Sequence, residues 1–268
     1  HRDLHTAYRR QRQMCIRDSS IRLISSLIYR LLEIEKPDVL CLQECKSLTE
    51  QMSLDLFKSL GYLFSASWGQ KSYNGVAFIS KIPLEKIEKI DFLNCEEARH
   101  ISVVVNGITI HNFYFPAGGD IPDINLNKKF RFKLEYIREV EKFFNLNKPF
   151  KSILVGDLNI APEIDDVWDH KKLLNVVSHT PDEVNLLKEF QANGLWVDIF
   201  RKHNPKGKHF SWWSYRSKDW KLSNRGRRLD HIWVTEDFKK SLNCYILKSL
   251  RDWERPSDHV PVVAEFKI

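Results

Sequence analysis

Apolar positions recur along this chain with two periods, and they divide it into elements. From Ser20 onward, Leu23, Ile24, Leu27, Ile28, Leu31 and Leu32 repeat at helical spacing with polar residues between them, and Pro37 stops the run. Asp38 to Glu44 (Asp-Val-Leu-Cys-Leu-Gln-Glu) predicts a buried strand ending on an acid. Residues 48–60 carry an amphipathic pattern that predicts a second helix, and Asn74 to Ser80 predicts another strand. Ile101 to Val105 and Ile108 to Phe115 flank Asn106-Gly107, a strong hairpin signal. A helix is expected from about Asn127 to Phe144, with Leu134, Ile137, Val140 and Phe144 on one side. Ser152 to Asn159 predicts a buried strand that leads into Gly156-Asp157-Leu158-Asn159. Thr180-Pro181-Asp182-Glu183 is a capping box with Pro at the first helical position, opening a helix to about Ala192. A loop rich in Lys, His, Trp and Arg spans 201–227. Strands are expected at Leu229 to Val234, Asn243 to Leu250 and His259 to Phe266.

Strands outnumber helices, both occur throughout, and no linker or repeat interrupts them. The expectation is one α/β domain with antiparallel sheets packed face to face and helices outside. The 268 residues, 43% of them hydrophobic, suffice for a substantial core. No apolar run reaches the length of a membrane span, and no signal-peptide pattern opens the chain. Five Cys, an odd count, fit free thiols in a reducing, cytoplasmic compartment.

Residues 1–18 differ from the remainder. They are Arg- and Gln-rich without a clear period, and Arg10 to Ser19 resembles the translation of a sequencing adapter. The expectation is a non-native or disordered segment ahead of a domain spanning 19–268. Net charge changes accordingly. Of the +7 overall, five Arg against two Asp in residues 1–18 account for +3, leaving +4 for the rest. Charge alone therefore argues only weakly for a polyanionic partner.

Candidate chemistry lies at strand ends. Glu44, Asp157 with Asn159, Asp230, and Asp258-His259 each end or begin a predicted strand, so one end of a sandwich can gather them. Each has an ordinary explanation by itself: a solvated strand end, a turn acid, a salt-bridge partner of Arg227 or Arg228, a core histidine. Together they make an oxygen-rich set that suits Mg²⁺ or Mn²⁺ and metal-assisted hydrolysis of a phosphate ester.

The segments Leu42-Gln43-Glu44, Tyr73 to Ala77, Asn112 to Pro116, Gly156 to Pro162, Phe210 to Arg216, Asn224 to Ile232 and Arg255 to Val262 resemble, in order, those of the exonuclease III family within the endonuclease/exonuclease/phosphatase superfamily. The resemblance implies a four-layer α/β sandwich, with two mixed, largely antiparallel sheets flanked by helices. It implies a Mg²⁺-dependent DNA-repair nuclease that incises 5′ to abasic sites and removes nucleotides or blocking groups from 3′ ends of double-stranded DNA, acting as a monomer. Carried over, Glu44, Asp157, Asn159, Asp258 and His259 surround the metal. Asp157 handles the proton of the attacking water or leaving oxygen, with Asn159 beside it. Tyr114 donates to a phosphate oxygen, Asp230 orients His259, and His259 contacts the scissile phosphate. Arg99, Trp212, Trp213, Arg216, Lys218 and Arg225 are the expected DNA contacts, with Arg227 in the same basic segment. One of the two tryptophans is as well suited to filling the lip of the core as to stacking on a base.

One departure stands out. The family opens with a strand carrying Thr-Trp-Asn-x-Asn-Ser-Ile-Arg, of which only Ser20-Ile21-Arg22 is present. The alignment puts Arg17 where a metal-site Asn belongs, and Arg has no acceptor. The domain is thus expected to lack its usual first strand, to fold poorly and to be less active. The rival readings are a superfamily phosphodiesterase acting on another phosphate ester, and a catalytically impaired nucleic-acid-binding remnant.

Overall fold

Uninterrupted apolar runs become strands buried on both faces. The computed structural model describes residues 4–11, 20–52, 55–216, 219–238 and 241–267. Its strands are β1 (Leu4–Gln11), β2 (Val39–Gln43), β3 (Phe64–Trp68), β4 (Val76–Ser80), β5 (Glu85–Lys89), β6 (His100–Val105), β7 (Ile108–Tyr114), β8 (Ser152–Asp157), β9 (Trp196–Asp198), β10 (Trp212–Trp213), β11 (Gly226–Arg227), β12 (Asp230–Thr235), β13 (Ser241–Ile246) and β14 (Val262–Phe266). The helices are α1 (Ser20–Glu35), α2 (Lys128–Leu146), α3 (His170–Leu173), α4 (Pro181–Asn193), α5 (Ile199–His203) and α6 (Trp220–Ser223). None among the described residues is long and apolar enough to cross a membrane.

Two six-stranded sheets form, in the orders β13-β14-β1-β2-β4-β3 and β5-β6-β7-β8-β12-β9, and β10 pairs β11 in a small ribbon. Among the described strands, only β1–β2 and β7–β8 are parallel pairs. Alternation along each strand builds the layers. Val39 and Cys41 of β2 join Ile153 and Val155 of β8 in the core between the sheets. Leu40 and Leu42 face the other way, against Ile28, Leu31 and Leu32 of α1. Leu154 of β8 lies on the opposite outer face with Leu134, Ile137 and Val140 of α2 and Leu187 and Phe190 of α4. Helix, sheet, sheet, helix is the four-layer sandwich.

One buried amide fastens the sheets together beneath the strand ends. Asn112 of β7 is fully buried. Its Nδ2 donates to the carbonyls of Leu42 (3.0 Å) and Ala77 (3.1 Å), and its Oδ1 accepts from Gln43 Nε2 (2.5 Å). An unpartnered buried amide would cost about 1–3 kcal/mol, so this contact fixes how β7 sits across β2 and β4.

Three differences from the sequence reading follow physical causes. The pattern at 48–60 folds as two 3₁₀ turns, Thr49–Gln51 and Asp55–Leu60, rather than a continuous helix. β3 and β5 carried no strand signal because β3 is only half-buried and every residue of β5 is exposed. The expected gap at the first strand is filled. Leu4–Gln11 lies between β14 and β2, with Ala7 opposite both Ala264 and Val39. Two neighbouring strands leave backbone groups to be paired there, and an extended backbone pairs them whatever its side chains. Arg17 lies outside the described residues.

Candidate active site

Strand register puts the catalytic candidates at one end of the sandwich. Asp157 is directly opposite Asp230 in the β8–β12 ladder and opposite Tyr114 in the β7–β8 ladder. Residues paired across a ladder project from the same face, so one rung presents a phenol and two carboxylates. Glu44 follows β2 immediately, in a left-handed turn with φ +54°. Asp258 and His259 precede β14 and are held by the β10 segment: Trp213 N donates to Asp258 O (3.0 Å), and Trp212 bridges to His259.

Two side chains orient the acids. Asn159, left-handed at φ +52°, donates its backbone N–H to Asp157 Oδ1 and its Nδ2 to Asp157 Oδ2, both at 2.8 Å. That conformation is one Asn tolerates well. His259 Nδ1 lies 2.9 Å from Asp230 Oδ2 and 3.2 Å from Oδ1, so it donates to that carboxylate and its Nε2 remains for a ligand. Burial works to lower the His259 pKa, but the Asp230 charge and hydrogen bond, aided by Asp157 and Asp258, raise it to about 9. His259 is therefore an imidazolium at neutral pH. Burial, with the charges of Glu44 and Asp157, holds the Tyr114 phenol well above its ordinary pKa, so it stays a donor. Burial also raises Glu44, partly offset by Lys46, whose Nζ is 3.0 Å from Glu44 Oε1.

Glu44, Tyr114, Asp157, Asn159, Asp258 and His259 border a cleft of about 540 Å³ that also takes in the 117–120 loop, residues 176–178, Trp212, Tyr215, Arg216 and Arg227. Asp157, Asp230 and His259 offer ligand atoms within 4.8 Å of one another, a cluster capable of holding a metal ion. The donor set fits a hard divalent cation. Asp258 Oδ1 is buried with no hydrogen-bond partner, while Oδ2 accepts from Trp212 Nε1 at 3.0 Å. Burial raises the Asp258 carboxyl above its ordinary pKa. Glu44, Asp157, Asn159 and Asp258 supply oxygens. Asp230 engages His259 Nδ1, which leaves Nε2 as the atom that can face a cation or a substrate anion.

The expected DNA contacts divide. Trp212 is half-buried at the cleft, with the Arg227 guanidinium 5.3 Å from its ring centre, and exposed Arg216 borders the same cleft. Trp213 is a correction: it is 1% exposed, packs on Phe210 and Trp220, and donates Nε1 to Asn224 Oδ1 (3.2 Å). Adjacent strand residues face opposite ways, so only one of the pair can reach the cleft. Arg99 is likewise not a free contact. It is buried, ion-paired to Glu97, and donates to the Tyr114 carbonyl (3.2 Å), which makes it a support for Tyr114. Arg225 is exposed outside the cleft lining, over the Trp168 ring (4.9 Å). Lys218 lies outside the described residues. Sequence reasoning missed Ser178 and Lys46, for which no motif gave a signal, and gave Tyr215 no role although its motif was in view.

Comparison with known proteins gives the family and the fold. The profile described as the Endonuclease/Exonuclease/phosphatase family matches residues 17–259. Exodeoxyribonuclease III of Haemophilus influenzae is 31% identical over 252 residues, covering 88% of this chain and 92% of that protein. Among solved structures, an AP endonuclease from Archaeoglobus fulgidus superposes with TM-score 0.89 at 29% identity, over 98% of this chain and 100% of that one. A 3′ phosphatase from Neisseria bound to a product DNA hairpin gives TM-score 0.88 at 26% identity, with the same coverage.

Proposed function

The chain belongs to the endonuclease/exonuclease/phosphatase family, among nucleases of the exodeoxyribonuclease III and AP endonuclease type, and from that premise we propose that it hydrolyses DNA phosphodiesters 5′ to abasic sites and at 3′ ends, with Mg²⁺ as cofactor. The observation that supports this most is the shared rung of Tyr114, Asp157 and Asp230 beside His259. A phosphodiester anion repels an incoming hydroxide, so a hydrolytic site must bring positive charge and hydrogen-bond donors to it. His259 supplies an imidazolium whose Nε2 donates to a phosphate oxygen. Asp230 keeps that ring charged and oriented. Tyr114 donates its phenolic proton to a second oxygen. Asp157 holds the proton of the attacking water or of the leaving oxygen, and the two hydrogen bonds from Asn159 fix the direction of its lone pairs. Glu44, Asp157, Asn159 and Asp258 would hold the cation. When bound, Mg²⁺ supplies charge neutralisation at the phosphate and stabilises the departing oxygen. Trp212 and Arg227 form a lip against which an unstacked base or the flanking phosphates rest.

Removal of 3′ phosphates is a second use of the same donors, favoured by the likeness to the Neisseria 3′ phosphatase. One assay separates these readings. Duplexes carrying an internal abasic site, a recessed 3′-hydroxyl or a 3′-phosphate are incubated with Mg²⁺ and with EDTA. The expected result is Mg²⁺-dependent nicking that leaves a 3′-hydroxyl. Phosphate release alone favours the second reading, and folded protein that binds all three without cleaving any refutes hydrolysis.

A further inference from the structure

Three segments of the cleft wall meet behind it at one buried charge pair. Lys133 of α2 and Glu183 of α4 are both fully buried and ion-paired, and neither borders the cleft. Lys133 Nζ also donates to the Asn159 carbonyl (2.9 Å) and the Ala117 carbonyl (3.4 Å). Glu183 accepts from the Ser178 N–H (2.9 and 3.0 Å), from the Thr180 N–H (3.3 Å) and from Thr180 Oγ1 (2.6 Å). Ser178 in turn accepts from Arg227 Nη1 at 2.6 Å. The loop at Ala117, the Asp157–Asn159 turn and residues 176–178 all line the cleft, and all three are fastened to this pair. Packing there is tight: a Cβ at Gly118 would lie 2.8 Å from Lys133 Cδ.

We infer that Lys133 and Glu183 are positioning residues for the hydrolysis proposed above, setting the distance between the Asn159 turn and the opposing wall that carries Ser178 and Arg227. The inference rests on that functional reading. Asn159 occupies a left-handed turn, and the Lys133 ammonium holds its carbonyl from behind. Without that hold, the turn relaxes and the two hydrogen bonds that aim Asp157 lengthen. A misplacement of about 1 Å at a reacting group can lower the rate by roughly 10²-fold.

Lys133→Met alone leaves the Glu183 carboxylate buried and unpaired, and that variant can fail to fold. The informative variant is Lys133→Met/Glu183→Gln in the full chain, which removes both charges and keeps an acceptor for the capping box. On an abasic duplex with Mg²⁺ we expect a melting temperature near that of the parent, KM within about threefold and kcat lower by about 10- to 100-fold. Amide hydrogen exchange at Asn159 and Ser178, which needs no activity, is expected to quicken at least about tenfold. Parent-like kcat, a loss carried in KM, a loss that vanishes when the folded fraction is counted, or unchanged exchange would each overturn the inference. Inactivity of the parent refutes the hydrolytic reading instead, and the exchange rates then still decide whether the pair holds the two segments.

Discussion

At the scale of single residues, each acid of the shared rung is oriented by a neighbour of its own. Asp157 and Asp230 are paired across one ladder, yet each has its own donor: Asn159 for Asp157, and His259 for Asp230. His259 carries the clearest pH consequence. Its folded pKa, raised to about 9, lies above the ordinary value of 6.5. The charged pair therefore contributes in full below about pH 6.5, and the contribution is lost as pH rises through about 9. An imidazolium donor should impose an alkaline limb on kcat near that pH. In Asp230→Asn the burial that depresses the imidazole remains while its main opposing charge is gone. The limb is expected to move to lower pH by more than about one unit, and kcat at pH 8 to fall by about 10²-fold. A pH–rate profile of parent and variant checks this, and an unmoved limb would show that Asp230 does not govern His259. Trp212 and Trp213 teach a related lesson. Their sequence marks an aromatic pair, and strand geometry decides that one lines the cleft while the other fills the core.

At the scale of elements, close approach of β7 and β8 sets the rung that carries Tyr114 and Asp157. Gly156 permits it: a Cβ there would lie 2.6 Å from the Phe113 carbonyl oxygen and 2.9 Å from its Cβ. Backbone cannot yield as a side-chain tip does, so Gly156→Ala should spread the two strands. We expect a loss of about 1–3 kcal/mol in urea unfolding, accompanied by a kcat loss larger than the unfolded fraction explains. An Ala variant with parental stability and rate would show that the spacing is not needed. Elements with strong local codes were legible in the sequence. Asn106-Gly107 has positive φ at both residues, as its hairpin requires, and Thr180 and Glu183 make the reciprocal capping box. Elements fixed by partners were not legible. β5 is an exposed, charged edge strand, and Thr49–Gln51 and Asp55–Leu60 are short 3₁₀ turns, of which the second buries Phe57. Asn112 stood in a quoted motif without a role, because its work, fastening two sheets, exists only across the fold. Lys133 was equally silent, and Glu183 was legible only as a capping residue, since their meeting spans two helices.

At the scale of the whole molecule, acids scattered from Glu44 to Asp258 act together only if the sandwich brings its strand ends to one place. The sequence pointed to that convergence because each acid marks an end of an apolar run. It could not say which groups touch, since those distances follow from register and from the two sheets' relative placement. The most direct test is a single-turnover double-mutant cycle with Asp157→Asn and His259→Gln on an abasic duplex in Mg²⁺. Groups acting on one phosphate in one step should be strongly non-additive. We expect each single variant to lose about 10²–10⁴-fold and the double variant to be at most about tenfold slower than the worse single. Losses that multiply in full, or a single variant as fast as the parent, would contradict a shared site.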